Sequence, residues 1–190
     1  GKKQKVEGSF IDIFFNEPII FIEESIDQDK PFCAYIETNT PHGPLYPKQE
    51  DYEVLEKLFE KSKFANQKGL KSGLVKYLSM IRNIDSNVGD LANFLDTKGV
   101  IDDTIIIFLT DNGSTMGKSY FNAGMRGMKT ELWEGGHRVP LFIKWKNGNF
   151  KEVCNEVEGR CRVTDIVPTL VELCGLKISN HLNKYGVFDY

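Results

Sequence analysis

The sequence predicts an α/β layered fold, with a mostly parallel sheet flanked by helices, and three observations carry that reading. Helix-period stretches alternate with short apolar runs, the order from which layered α/β domains are built. The runs at residues 32–36, 104–109 and 139–143 are almost continuously apolar or β-branched, as strands covered on both faces are. Two of them empty into compact polar loops, residues 38–44 and 110–113, at the strand ends where open α/β sheets gather their ligands.

The elements follow in order. Asn16-Glu17-Pro18 reads as a helix start, because Asn caps free amides and proline is tolerated in a first turn; Ile19, Ile22 and Ile26 then share one face. The break Asp27-Gln28-Asp29-Lys30-Pro31 leads into the strand Phe32-Cys33-Ala34-Tyr35-Ile36. Residues 50–64 are charge-rich and read either as a surface helix or as an excursion over the site. Leu74, Tyr77, Leu78, Ile81, Ile84, Val88, Leu91 and Leu95 keep the helical period for several turns, with Gly99 placed to end that helix. Thr104-Ile105-Ile106-Ile107-Phe108-Leu109 is a central strand. A glycine-rich stretch, residues 113–136, precedes the run Val139-Pro140-Leu141-Phe142-Ile143, and a helix over residues 165–174 stops at Gly175.

Composition bounds the function. A chain of 190 residues that is 41% apolar suits one globular domain with a real core. Lys and Arg total 24 against 27 Asp and Glu, so there is no basic field to attract nucleic acid or an anionic membrane, and an anion site must be built locally. No apolar run approaches the roughly 20 residues that span a bilayer. Cys33, Cys154, Cys161 and Cys174 lack zinc-site spacing and are expected as buried thiols, with a Cys154–Cys161 disulfide left open.

Four residues are candidates for chemistry. Asp111 and Asn112 offer adjacent side-chain oxygens at a strand end, a partial ligand set for calcium or magnesium; Asp-Asn-Gly alone is more often a tight turn than a metal site. Lys129, among glycines that permit close backbone approach, could face a tetrahedral oxyanion or remain a solvated loop lysine. His42, on a loop stiffened by Pro41, could donate to an ester oxygen or be a polar surface residue. Arg126 is read as a solvated cation and Arg138 as a tie to a carboxylate, while His137 and His181 have weaker claims.

The order of these pieces resembles the sulfatases, members of the alkaline phosphatase superfamily. The landmarks are Thr40-Pro41-His42-Gly43-Pro44 after a strand, the helix carrying Tyr77, Asp85 and Gly89, and Thr110-Asp111-Asn112-Gly113. Gly127-Met128-Lys129, Glu134-Gly135-Gly136-His137-Arg138-Val139-Pro140 and Thr164-Asp165-Ile166-Val167-Pro168-Thr169-Leu170 complete the series, which covers residues 10–176. The resemblance implies hydrolysis of sulfate esters in a partial alkaline-phosphatase-like domain lacking its N-terminal portion, with residues 177–190 a tail or the start of a C-terminal subdomain. It implies that Asp111 and Asn112 ligate Ca2+, with Mg2+ an alternative, and that Lys129 and His42 contact the sulfate ester.

The family's nucleophile is a formylglycine made in a Cys/Ser-x-Pro-x-Arg motif. No cysteine or serine here has proline two residues on, so the nucleophile is expected outside these residues and the chain alone is expected to be inactive. Phosphoester or phosphonate hydrolysis within the same superfamily, and a non-catalytic sulfatase-like binding protein, stand as alternatives. The resemblance further implies a sulfated small molecule or carbohydrate as substrate and a periplasmic, secreted or lysosomal location. Uncovered strand edges would favour self-association.

Overall fold

A computed structural model describes residues 8–148, 159 and 161–177. The chain divides into two compact units, residues 1–149 and 150–190.

Helix α1, Phe10–Asp27, begins well before the predicted start, because Ile11, Phe15 and Ile22 form a single buried stripe that runs through the proline. Pro18 therefore sits inside the helix, where it forfeits one backbone bond. Beyond its last residue, Asp27, the helix is closed off by Asp29, which takes a left-handed φ of 52° while its N–H and that of Lys30 bond the carbonyls of Ile26 and Ser25, both at 2.9 Å. Residues 50–64 resolve as a helix, α2, Gln49–Glu60, followed by α3, Lys68–Thr97. Phe59 of α2 meets Leu74 and Val75 of α3 in the core, and Met116 and Tyr120 pack onto them from further along the chain. The predicted stop at Gly99 holds: with φ 71° it lets Val100 N–H reach Leu95 O at 3.0 Å and its own N–H reach Asp96 O at 2.9 Å.

The buried stripe of α3 departs from the apolar one in the sequence. Ile81 is exposed, while Ser79, Asn83 and Asn87 are buried. The two asparagines turn inward to Asp12 of α1, whose Oδ1 accepts from Asn83 Nδ2 at 3.1 Å and Asn87 Nδ2 at 3.0 Å while Lys48 Nζ approaches Oδ2 at 2.6 Å; Ser79 bonds Val75 O of its own helix. A polar seam thus joins α1 to α3, and a hydrophobic seam joins α2 to α3.

After a 3-10 turn at Ile101–Asp103 comes β1, Ile106–Leu109, which pairs with β2, Leu141–Lys144. The expected sheet was mostly parallel, whereas this pair runs antiparallel, with Ile106 opposite Lys144 and Leu109 opposite Leu141. The pairing is fixed behind the strands, where Asn147 N–H bonds Asp102 O at 3.0 Å, Asn147 Nδ2 bonds Asp103 Oδ1 at 2.7 Å and Lys146 Nζ lies 2.5 Å from Asp102. Residues 32–36 form no regular secondary structure and join no ladder among the described residues, and Tyr35 is 84% exposed. An apolar run favours a strand; it does not supply the neighbour that makes one. Two short turns of helix, α4 at Gly117–Tyr120 and α5 at Glu134–His137, interrupt the excursion between β1 and β2.

The second unit contributes α6, Val163–Leu173, which starts with Arg162 N–H bonded to Asp165 Oδ2 at 2.7 Å and ends at Gly175, φ 61°, as predicted. Cys33, Cys161 and Cys174 are exposed free thiols rather than buried ones, because residues 32–36 and α6 present open faces. Cys154, His181 and the predicted tail beyond Lys177 lie outside the described residues. Among the described residues no helix is long and apolar enough to cross a membrane.

Candidate active site

The antiparallel pairing assembles the site. Because Leu109 lies opposite Leu141, the polar loop leaving β1 and the segment entering β2 emerge at the same end of the sheet. There Gly113 N–H bonds Gly136 O at 2.9 Å, and a Cβ on Gly113 would lie 1.8 Å from Gly135 O. Only glycine fits where two backbones approach this closely. Gly135 and Gly136 are likewise pressed against backbone: a Cβ on Gly135 would meet Gly127 O at 2.3 Å, and one on Gly136 would meet Glu131 O at 2.1 Å. The Asp111-Asn112-Gly113 turn, the Gly-Gly turn of α5 and the loop bearing Lys129 therefore pack backbone on backbone.

Within this assembly Asp111 is exposed and Asn112 half-buried, and Asn112 Nδ2 donates to Asp111 Oδ2. The two side chains converge, one carboxylate and one carboxamide, which suits a hard cation once the amide turns its oxygen toward the metal. Among the described residues no group of three His, Cys, Asp or Glu converges.

Lys129 is half-buried, two residues beyond Gly127, whose φ of 85° sets the loop's direction. Arg126 O accepts from Gly135 N–H at 2.8 Å, and the Arg126 guanidinium stacks over the Trp133 ring, 3.4 Å from its centroid. Arg126, although exposed, is thus a clamp across the neck of the loop. Arg138 takes the part expected of it, with Nη1 3.8 Å from Glu134 Oε1.

His42 is exposed, and its contacts stay within its own loop: its N–H bonds Asn39 O at 3.0 Å and its Nδ1 lies 2.8 Å from Gly43 O. A carbonyl only accepts, so Nδ1 carries a proton and Nε2 is the nitrogen left to act. The structure brings Asp111, Asn112 and the Lys129 loop together through shared backbone contacts, and among the described residues no backbone hydrogen bond joins the His42 loop to them.

Sequence reasoning missed Asn122. Its Nδ2 donates to Met125 O and Gly127 O, both at 2.8 Å, stitching the start of the Lys129 loop. In sequence the residue is one more Asn near a glycine, and only the fold reveals both acceptors.

A helical part and a small two-stranded sheet, with an acidic-amide turn and a glycine-locked lysine loop at one end of that sheet, make up a partial α/β domain of alkaline-phosphatase-like fold. The structure of Ps i-CgsB, solved in complex with k-i-k-neocarrahexaose, superposes with a TM-score of 0.81 at 27% identity, covering 95% of this chain and 37% of that one. The chain belongs to the sulfatase family, whose model, described as Sulfatase, matches residues 4–176. It is 26% identical over 190 residues to the uncharacterized sulfatase YdeN of Escherichia coli, covering 95% of this chain and 30% of that protein. An arylsulfatase of Clostridium perfringens is 28% identical over 205 residues, covering 92% of this chain and 40% of that protein. The chain therefore spans between 30% and 40% of the length of these two relatives.

Proposed function

We propose that this chain is part of a polypeptide that hydrolyses sulfate esters, and that its residues act on the leaving-group side of the reaction. The observation that carries the reading is the backbone lock between Gly113 and Gly135–Gly136, which fixes an oxygen-donor pair and a lysine loop at one end of the sheet. Sulfate-ester cleavage drives negative charge onto the departing alcohol oxygen, and a preorganised cation there lowers the barrier. Lys129 supplies that charge from its ammonium. His42 presents Nε2 to the ester or alcohol oxygen while Nδ1 stays bound to Gly43 O. Asp111 and Asn112 would hold a calcium ion, with magnesium the alternative, and the bound cation supplies Lewis-acid charge beside the ester.

The nucleophile, a formylglycine by family resemblance, belongs to a part of the polypeptide beyond these residues, and this chain by itself is inactive. A sulfated carbohydrate is the favoured substrate class, supported by the oligosaccharide bound to Ps i-CgsB.

Sulfate release from 4-nitrophenyl sulfate, measured on the full-length polypeptide with calcium present, tests this. Lys129→Ala should lower kcat about 100- to 1,000-fold, the range seen when one charge-stabilising donor is removed. An unchanged kcat would remove Lys129 from the reaction, and turnover by this chain alone would show that no outside nucleophile is needed.

A further inference from the structure

We infer that Asn122 is a positioning residue for Lys129, acting through the backbone of the loop that carries it. The inference rests on the reading of Lys129 as the leaving-group cation. Ala123, Gly124, Gly127 and Thr130 all take positive φ, of 48°, 74°, 85° and 75°. Two of these are non-glycine residues in a sparsely populated conformation, which persists only where surrounding contacts over-determine it. No helix or ladder supplies those contacts over residues 121–133.

Asn122 does. Its carboxamide nitrogen spends one hydrogen on Met125 O and the other on Gly127 O, both at 2.8 Å, and its own carbonyl accepts from Met125 N–H at 2.8 Å. Aspartate, its isostere, has no hydrogen to give and would set a negative charge against two carbonyl oxygens. The same nitrogen lies 2.6 Å from where a Cβ on Gly135 would stand, so Asn122 packs directly on the Gly-Gly turn that receives Gly113. One side chain therefore ties the Lys129 loop to the turn on which Asp111 and Asn112 rest, and sets the direction in which the chain leaves Gly127. A displacement of about 1 Å at a reacting group can cost about 100-fold in rate.

The test uses the full-length polypeptide and a series of aryl sulfates whose leaving groups span a range of acidity. Charge from Lys129 matters most for the poorest leaving group, so Lys129→Ala should lose rate in proportion to leaving-group basicity. Asn122→Asp and Asn122→Ala should show the same tilt at lower amplitude. About 10- to 100-fold would be lost on the poorest leaving group and little on the best, with KM nearly unchanged. The double variant Asn122→Ala/Lys129→Ala should be no slower than Lys129→Ala. A folding defect scales every substrate by one factor and produces no tilt. Asn122→Ser, whose hydroxyl serves a single carbonyl, should tilt less and keeps the experiment readable where the other variants fold poorly. A uniform loss, or none, in the Asn122 variants while Lys129→Ala tilts would overturn the positioning role. A flat response from Lys129→Ala would instead sink the reading of Lys129, and this inference with it.

Discussion

Around α1, α2 and α3 the chain is held by side chains, whereas between β1 and β2 it is held by backbone. In the helical part Leu74 and Val75 are each 1% exposed and Phe59 closes over them, while Asp12 gathers Lys48, Asn83 and Asn87. In the strand-and-loop part the decisive contacts are glycine backbone against glycine backbone, and large apolar side chains such as Phe142 and Leu132 stand exposed. Burial of side chains yields stability, while glycine contacts of this kind yield shape with little apolar area removed from water. The two parts meet where Met116 and Tyr120 pack on the helical core, with Phe64 and Tyr120 edge to face at 5.5 Å. The comparison implies that stability and chemistry are separable by mutation.

Gly113→Ala should break that separation most visibly. Its Cβ would stand 1.8 Å from Gly135 O, a backbone atom, so the two turns must part and the Gly113 to Gly136 bond is lost. In the full-length polypeptide the rate should fall about 1,000-fold, or about 4 kcal/mol of barrier, because both the oxygen-donor pair and the lysine loop move. The far-UV circular dichroism of the helices should be retained. A substantial loss of helix would show that the glycine lock also holds the scaffold.

Leu74→Ala should do the converse. Removing a fully buried leucine leaves a cavity beside Phe59 and Val75 and costs about 3 kcal/mol, read as a lower Tm or urea midpoint. Below the transition the rate on aryl sulfates should change less than twofold. A rate loss comparable to that of Gly113→Ala would mean that the core reaches the site through Met116.

The helices were legible in the sequence to the extent that their signals were local. Gly99 and Gly175 end α3 and α6 where predicted, because a positive φ after an apolar period is a property of the chain itself. The start of α1 was misplaced because Pro18 looks like a first-turn residue until the burial of Ile11 and Phe15 is known. The face of α3 was partly misread because Asn83 and Asn87 are drawn inward by an aspartate 71 and 75 residues away. The pairing of β1 with β2 was not legible for the same reason: its antiparallel register is set by Asp102, Asp103 and Asn147, outside the apolar runs. At the site, Asp111, Asn112 and Lys129 could be chosen from chemistry and motif order. Asn122 could not, since its partners are carbonyls that every residue carries.

The polar seam and the Asp51–Arg82 pair that joins α2 to α3 sharpen the comparison at the smallest scale, because the two aspartates, Asp12 and Asp51, pull in opposite directions. Burial pushes the Asp12 carboxyl upward, but hydrogen bonds from Lys48, Asn87 and Asn83 and the charge of Lys48 outweigh it, so its pKa ends below the ordinary 3.8. Burial also pushes Asp51 upward, and there the charges of Arg82, 3.1 Å away, and Lys48 do not overcome it, so its pKa ends above 3.8. A lowered carboxyl stabilises the fold above the unfolded value of 3.8 and loses that contribution as pH falls through the folded value. A raised one has the reverse sign: its contribution is full below 3.8 and is lost as pH rises through the folded value. At pH 7 Asp12→Asn should therefore cost about 2 kcal/mol, the worth of hydrogen bonds to a charged acceptor, and the deficit should shrink as pH falls below 3.8. Asp51→Asn resembles the protonated form the fold prefers, so at pH 7 it should change stability by less than about 1 kcal/mol, in the stabilising direction. Thermal melts of both variants between pH 3 and 7 check the signs. A loss at Asp51→Asn as deep as that at Asp12→Asn would mean that the Arg82 pair, not burial, governs Asp51, and that the seam and the pair act as one ionic network rather than as two opposed sites.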